Sequence, residues 1–208
     1  MYYGEKLNSI THLVGTVLAL IGFGALLTIS IQEYNWRIIV SFTVFGGTLI
    51  LLYTMSTLYH SLHSPELKKI FQKLDHVSIY LLIAGTYTPY MLVSLPGNNG
   101  LFMLILIWGL AVIGLLADIF IVKRIEWLQV FIYLLMGWIC TVNYSQLQAA
   151  ISTAGIIWLT VGGVAYTTGI LFYILDHFNK LSHAHGIWHL FVLSGSICHF
   201  ISIAAYVR

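Results

Sequence analysis

Histidine is frequent in this sequence, and three of the histidines are placed where they could bind one metal ion. The 208 residues contain nine histidines against seven aspartates and glutamates. His185 and His189 are four residues apart, which puts both imidazoles on one helix face, one turn from each other. His60 lies near the end of a different apolar segment. Three imidazoles and a water form the open tetrahedral coordination of catalytic zinc, so the pattern predicts zinc bound by His60, His185 and His189.

Asp75 is the acidic residue that we expect beside this site. It precedes the third apolar segment, and an ionisable group near hydrocarbon is costly unless it is paired or binds a cation. We expect its carboxylate to orient or deprotonate the water that completes the zinc coordination. Glu5, Asn8 and His12 share one side of the first helix near the same end. For these three residues, lining the site, N-capping and interhelical hydrogen bonding are all open.

The remaining histidines are not predicted to bind the metal. His199 lies ten residues beyond His189, about 15 Å along a helix at 1.5 Å per residue, so we expect it to be a buried polar partner. An isolated pair of histidines at a spacing of four also arises by chance, and the metal prediction therefore rests on the convergence of three separate segments. Four histidines at the ends of apolar segments are explained by solvation or by support of the site: His63, His76, His177 and His183.

Long apolar runs must position these residues. The sequence is 59% hydrophobic and 8% charged, whereas a soluble domain carries about 25% charged residues. Each run is close to the ~20 residues that a helix needs to cross a bilayer, and the strict alternation of a membrane strand is lacking. The sequence predicts an all-α integral membrane protein. It is expected to form one seven-helix domain over residues 1–208, with spans at 10–31, 37–62, 76–94, 100–121, 126–147, 153–175 and 185–206.

The cationic residues predict how the bundle is oriented. With seven spans, the N-terminal side carries Lys6, Lys68, Lys69, Lys73, Lys123, Arg124 and Lys180, and the other side carries Arg37 and Arg208. Positive charge is enriched in cytoplasmic loops, so we expect a cytoplasmic N-terminus, an outside C-terminus and a zinc site at the cytoplasmic end. A net charge of +2, thinly spread, argues against nucleic-acid binding.

The longest connection, residues 64–75, is predicted to be a surface helix lying flat on the cytoplasmic interface. Ser64 can cap this helix, and Pro65 suits the first helical position. Pro89 falls within the third span, where it is expected to kink the helix. The apolar stripe of the surface helix consists of Leu67, Ile70, Phe71 and Leu74.

Several of these segments resemble the bacterial hemolysin III family, whose relatives include the progestin and adipoQ receptors. The similar segments are residues 5–12, Ser56 with His60, residues 73–76, residues 185–189 and His199 with Phe200. The resemblance implies a seven-helix fold with a cytoplasmic N-terminus and an intramembrane zinc. It maps the three zinc ligands onto His60, His185 and His189, and it places Asp75 beside the zinc-bound water and Ser56 close to the site.

The resemblance also implies a set of functions. Some receptor relatives are linked to ceramide hydrolysis, the wider superfamily includes alkaline ceramidases, and bacterial members are tied to membrane homeostasis. We therefore expect a multi-pass protein of the bacterial plasma membrane, with membrane lipids as substrate or ligand and zinc as cofactor. A zinc-dependent hydrolase of lipid amide or ester bonds is the first hypothesis. A non-enzymatic regulator with structural zinc, a cytolysin and, last, a transporter are the alternatives, and the oligomeric state is open.

Overall fold

The structure is a computed structural model that describes residues 4–120 and 126–208. Within these two ranges the regular structure is helical, with no strand. Seven stretches are long and apolar enough to cross a membrane, so the predicted all-α membrane fold is confirmed. The helices are α1 (Lys6–Gln32), α2 (Trp36–Ser61), α3 (Pro65–Pro89), α4 (Asn98–Phe120), α5 (Glu126–Trp138), α6 (Tyr144–Ala150), α7 (Thr153–His177) and α8 (Ala184–Tyr206).

The third span corrects one prediction. Residues 64–75 are helical as expected, because Ser64 Oγ accepts a hydrogen bond from the Leu67 N–H at 3.5 Å and Pro65 opens the helix. However, the prediction of a separate helix flat on the interface is wrong, since α3 runs without interruption to Pro89. No glycine or proline follows Pro65 until Gly85, so nothing separates residues 64–75 from the rest of the helix, and the buried side chain of Asp75 lies inside the bundle.

Two spans depart from regular α-helix. After Pro89, which cannot donate a backbone hydrogen bond, the backbone widens into a π-helical turn over Tyr90–Ser94. The fifth span, Glu126–Ala150, is broken by a 3₁₀ segment over Ile139–Asn143 that separates α5 from α6. Both departures lie within stretches long enough to span the membrane.

Helix α1 packs against α2 and α8, while α2 also packs against α3, and α7 against α8. Consecutive spans run antiparallel because their connections are short. The start of α1, the end of α2, the start of α3, the end of α7 and the start of α8 therefore meet at one end, which we call the histidine end. The predicted orientation of this end also used Lys123 and Arg124, which lie outside the described residues, and it stays a prediction.

Candidate metal centre

The three predicted ligands meet at the histidine end. His60 comes from the last turn of α2, whereas His185 and His189 come from the opening turns of α8. One potential ligand atom from each residue lies within 4.8 Å of the others. The ring centroids are 5.1 Å apart for His60 and His185, 4.9 Å for His60 and His189, and 4.8 Å for His185 and His189. This group of side chains could hold a metal ion.

Each ring of this group is held through its Nδ1 atom by an acceptor. His60 Nδ1 lies 2.6 Å from Glu5 Oε2, and His185 Nδ1 lies 3.0 Å from Asp176 Oδ2. His189 Nδ1 lies 3.2 Å from the backbone oxygen of Asn8. Carboxylate and carbonyl oxygens only accept, so each Nδ1 carries the hydrogen and each neutral Nε2 keeps its lone pair. Metal-binding histidines are oriented by outer acceptors in this way.

The unused nitrogens show that the group fits a metal. Among the described residues, Nε2 of His60 and Nε2 of His185 are buried and have no hydrogen-bond partner. His60 and His189 are only 2% and 1% exposed, and a buried polar atom without a partner is costly. Neutral imidazole nitrogens that face one another can all be satisfied by a single cation.

Glu5 connects the start of α1 to this group. Its carboxylate accepts hydrogen bonds from His60, from Lys68 Nζ at 3.0 Å and from Asn8 Nδ2 at 2.8 Å. Partial burial alone would raise the pKa of Glu5, but these hydrogen bonds outweigh burial and hold that pKa well below its usual range. The carboxylate is therefore an anion that can fix the orientation of His60. Interhelical hydrogen bonding was one of the open sequence-based explanations for Glu5 and Asn8.

Asp176 is the partner that the sequence did not reveal. It lies in the last turn of α7 and reaches His185 across the turn between α7 and α8. The signal for this partner in the sequence was an acidic residue at the end of an apolar span. The separation of Asp176 from His185 along the sequence does not match a helical repeat, so it did not pair the two residues. His177, next to it, is exposed, with its Nδ1 3.1 Å from Glu126 Oε2, and belongs to the surface, as predicted.

The catalytic candidates lie in the wall of a cavity next to this group. Asp75 is 7% exposed and Ser56 is fully buried, and both line a mainly apolar cavity of about 150 Å³. Asp75 is not one of the three grouped ligands. Ser56 Oγ has no hydrogen-bond partner in the part of the chain that the structure describes. The structure thus brings both residues to the cavity wall, and their roles stay predictions.

His12 also lies at this cavity. Its ring stacks on His189 with centroids 3.6 Å apart and an interplanar angle of 10°, and it meets the edge of Tyr53. It is 3% exposed, and neither ring nitrogen has a partner among the described side chains and backbone. The structure therefore places His12 in the lining of the site, which was one of the alternatives left open by the sequence.

The remaining histidines lie outside the group. His199 is buried, and its Nε2 donates a hydrogen bond to the backbone oxygen of Leu159 at 3.1 Å, which confirms the predicted buried polar partner. The residues that belong neither to the group nor to its cavity are His63, His76, His177 and His183, of which all but His76 are exposed.

The sequence matches one protein family over most of its length. A family profile described as "Haemolysin-III related" matches residues 2–200. The chain belongs to the haemolysin III-related family. The "Hemolysin-3 homolog" of Bacillus subtilis (strain 168) is 41% identical over 202 residues, which cover 97% of this chain and 93% of the relative.

More distant relatives of this haemolysin III-related protein come from animals. The human "Monocyte to macrophage differentiation factor" is 27% identical over 210 residues, covering 99% of this chain and 85% of the relative. The "Adiponectin receptor protein" of Drosophila melanogaster is 28% identical over 224 residues, covering 96% of this chain and 50% of the relative. Together with its seven apolar helices, these matches identify a multi-pass protein of the cell membrane, and the resemblance inferred from the sequence is confirmed.

Proposed function

We propose that this protein is a zinc-dependent hydrolase that cleaves an amide or ester bond of a membrane lipid. The observation that carries the proposal is a group of three histidines, each with its Nδ1 held by an acceptor, beside an apolar cavity that also presents Asp75 and Ser56. Three neutral imidazoles are the ligand set of catalytic zinc sites, which keep a fourth position open. When bound, zinc supplies Lewis-acid activation of water and of the scissile carbonyl.

The residues of the chain have separate parts in this reaction. His60, His185 and His189 hold the metal, and Glu5 and Asp176 hold two of these rings in place. Asp75, a buried carboxylate in the cavity wall, accepts the proton of the attacking water and returns it to the leaving group.

The substrate side of the site is the cavity. Its apolar walls bind the chain of the lipid and exclude bulk water from the reacting carbonyl. The hydroxyl of Ser56, which has no other partner among the described residues, donates a hydrogen bond to that carbonyl. We place the histidine end on the cytoplasmic side and treat the chain as a single domain.

The test is a comparison of metal content with lipid turnover. The protein is purified with zinc and offered phospholipid and ceramide vesicles, and the release of fatty acid is measured. Asp75→Asn is expected to retain zinc and to lose turnover by at least about 10²-fold, the usual contribution of a general base. Glu33→Gln, which disrupts an ion pair with Arg208 at 3.2 Å, is the matched control. Full turnover in the Asp75 variant, or zinc-loaded protein that cleaves neither lipid, would contradict the proposal.

A second candidate is a regulator in which the metal has a structural role. Helix α1 packs against both α2 and α8. A metal bound by His60 of α2 and His185 of α8 would link these two helices directly. This candidate predicts that a chelator lowers the thermal midpoint in detergent while no lipid is consumed. Both candidate functions therefore require a bound metal, but only the hydrolase consumes lipid.

A further inference from the structure

The opening turns of α3 present an outward surface that is half apolar and half cationic. Lys69 and Lys73 are four residues apart, so they share one side of the helix, and both are exposed. Beside them lie three apolar side chains that are 43%, 53% and 40% exposed, namely Leu67, Ile70 and Leu74. We call these five residues the α3 face.

The bundle uses the opposite side of the same turns. Lys68 Nζ donates a hydrogen bond to Glu5 Oε1 at 3.0 Å, which joins α3 to the start of α1. Gln72 Nε2 donates to the hydroxyl of Tyr59 on α2 at 3.1 Å, and Asp75 is buried. At 3.6 residues per turn, positions 68, 72 and 75 lie on the side of the helix opposite the α3 face. The rest of the described chain therefore leaves this face uncovered.

The two lysines of the α3 face make no ion pair with an acid among the described residues. The ion pairs of that part of the chain use Lys68 and Arg208, together with three histidines. Glu66, the acidic residue nearest in sequence, is a single exposed charge in the first turn, so two cations outnumber it. Within residues 4–120 and 126–208, no other two exposed lysines or arginines are one turn apart on a helix.

The length of the third span brings this face to the depth of the lipid headgroups. The span covers the 30 residues Pro65–Ser94, about 45 Å at 1.5 Å per residue, and a usual tilt of about 20° shortens it only slightly. The hydrocarbon core is only about 30 Å thick, so one end of the span must project beyond it. Charged side chains are costly in hydrocarbon, and those of the span lie towards Pro65. The end that carries the α3 face is therefore the one that projects.

We propose that the α3 face binds an anionic phospholipid of the surrounding bilayer, with Lys69 and Lys73 at the headgroup phosphate and the apolar half along the acyl chains. Lysine side chains can lie along apolar surface while their ammonium groups reach the polar boundary, so the two halves fit one amphiphile. A zwitterionic lipid would match the apolar half but offer the lysines no net charge. The inference goes beyond the proposed hydrolysis, because none of the five residues lines the cavity.

The test measures lipid exchange rather than turnover. Purified protein in detergent is saturated with phosphatidylcholine and titrated with phosphatidylglycerol of the same acyl chains, and native mass spectrometry gives the exchange constant. A lysine near an anionic headgroup contributes about fivefold in affinity, so the wild-type protein is expected to favour phosphatidylglycerol by roughly 10- to 30-fold. The double variant Lys69→Gln, Lys73→Gln is expected to reduce this preference to about twofold or less.

The matched control is the double variant Lys6→Gln, Lys180→Gln. It removes two exposed lysines at the same end that are not neighbours on a helix, and it should keep most of the preference. Equal binding of the two lipids by the wild-type protein would overturn the inference, as would an unchanged preference without Lys69 and Lys73 or an equal loss in the control. Displacement of phosphatidylglycerol by the same concentration of glycerol 3-phosphate would indicate capture of a free anion and would also contradict it. The wild-type series decides the question even if a variant does not fold.

Discussion

Two polar regions of this bundle differ in whether their groups are satisfied by the protein. At the break in the fifth span, the Tyr87 hydroxyl donates to the backbone oxygen of Met136 at 2.7 Å and accepts from the Cys140 N–H at 2.9 Å. Trp138 nearby donates to Thr167. Backbone groups freed inside a membrane must find partners within the protein, and the Tyr87 hydroxyl is such a partner here, whereas Asn143 Nδ2 in the same segment is buried with no partner among the described residues.

The histidine end is built in the opposite way. Its outer atoms are paired, since Glu5, Asp176 and Asn8 hold the three rings. Its inner atoms are open, because buried nitrogens of His12, His60 and His185 have no partner among the described residues. At the break in the fifth span, a side chain completes freed backbone groups, whereas the histidine end gathers unpaired nitrogens in a group that could hold a metal ion. The comparison therefore separates a region that supports the backbone from a candidate metal centre.

The largest expected effect is the loss of the metal from the histidine end. His185→Ala removes one of three ligands, and a site with two imidazoles should lose zinc almost completely during purification. Elemental analysis of the purified protein measures this loss. The control is His183→Ala, because His183 is exposed and lies outside the group. Equal zinc content in the two variants would contradict the assignment of His185.

A smaller effect is expected from the outer partner of the same ring. Asp176→Ala removes the acceptor of His185 Nδ1, and losing such a partner weakens metal binding by about 10- to 100-fold. Competition with a zinc chelator of known affinity gives the dissociation constant. Glu126→Ala is the matched control, since it removes an exposed carboxylate that contacts another histidine, His177, at the same end. If both variants weakened zinc binding equally, the effect would be a general one of surface charge.

The smallest effect is expected at the break in the fifth span. Tyr87→Phe leaves backbone groups at the break in the fifth span without their partner, which should lower the free energy of unfolding by about 1–3 kcal/mol. Thermal unfolding in detergent measures this change, with the exposed Tyr144→Phe as control. The zinc content should be the same as in the wild type. A variant that lost zinc while keeping its stability would reverse the roles assigned to the two regions.

Much of the candidate site could be predicted because its ligands follow local rules. The spacing of His185 and His189 places both on one face of any helix, and His60 could be matched to them by its position at a span end. Asp176 could not be predicted in this way, since its contact with His185 depends on the turn that joins α7 to α8. The flat surface helix was predicted from amphipathicity alone, which does not reveal that α3 continues into the membrane.

The sequence by itself determined the seven spans, because an apolar run of sufficient length is stable in a bilayer only as a helix. It also determined which residues share a helix face, since the helical period is local. Only the tertiary structure decided that α1 lies against both α2 and α8, so that Asn8 and Glu5 hold His189 and His60. It also decided that the buried ring of His199 bonds to the backbone oxygen of Leu159 on α7. These outcomes depend on distances between side chains far apart in the chain, which no local pattern specifies.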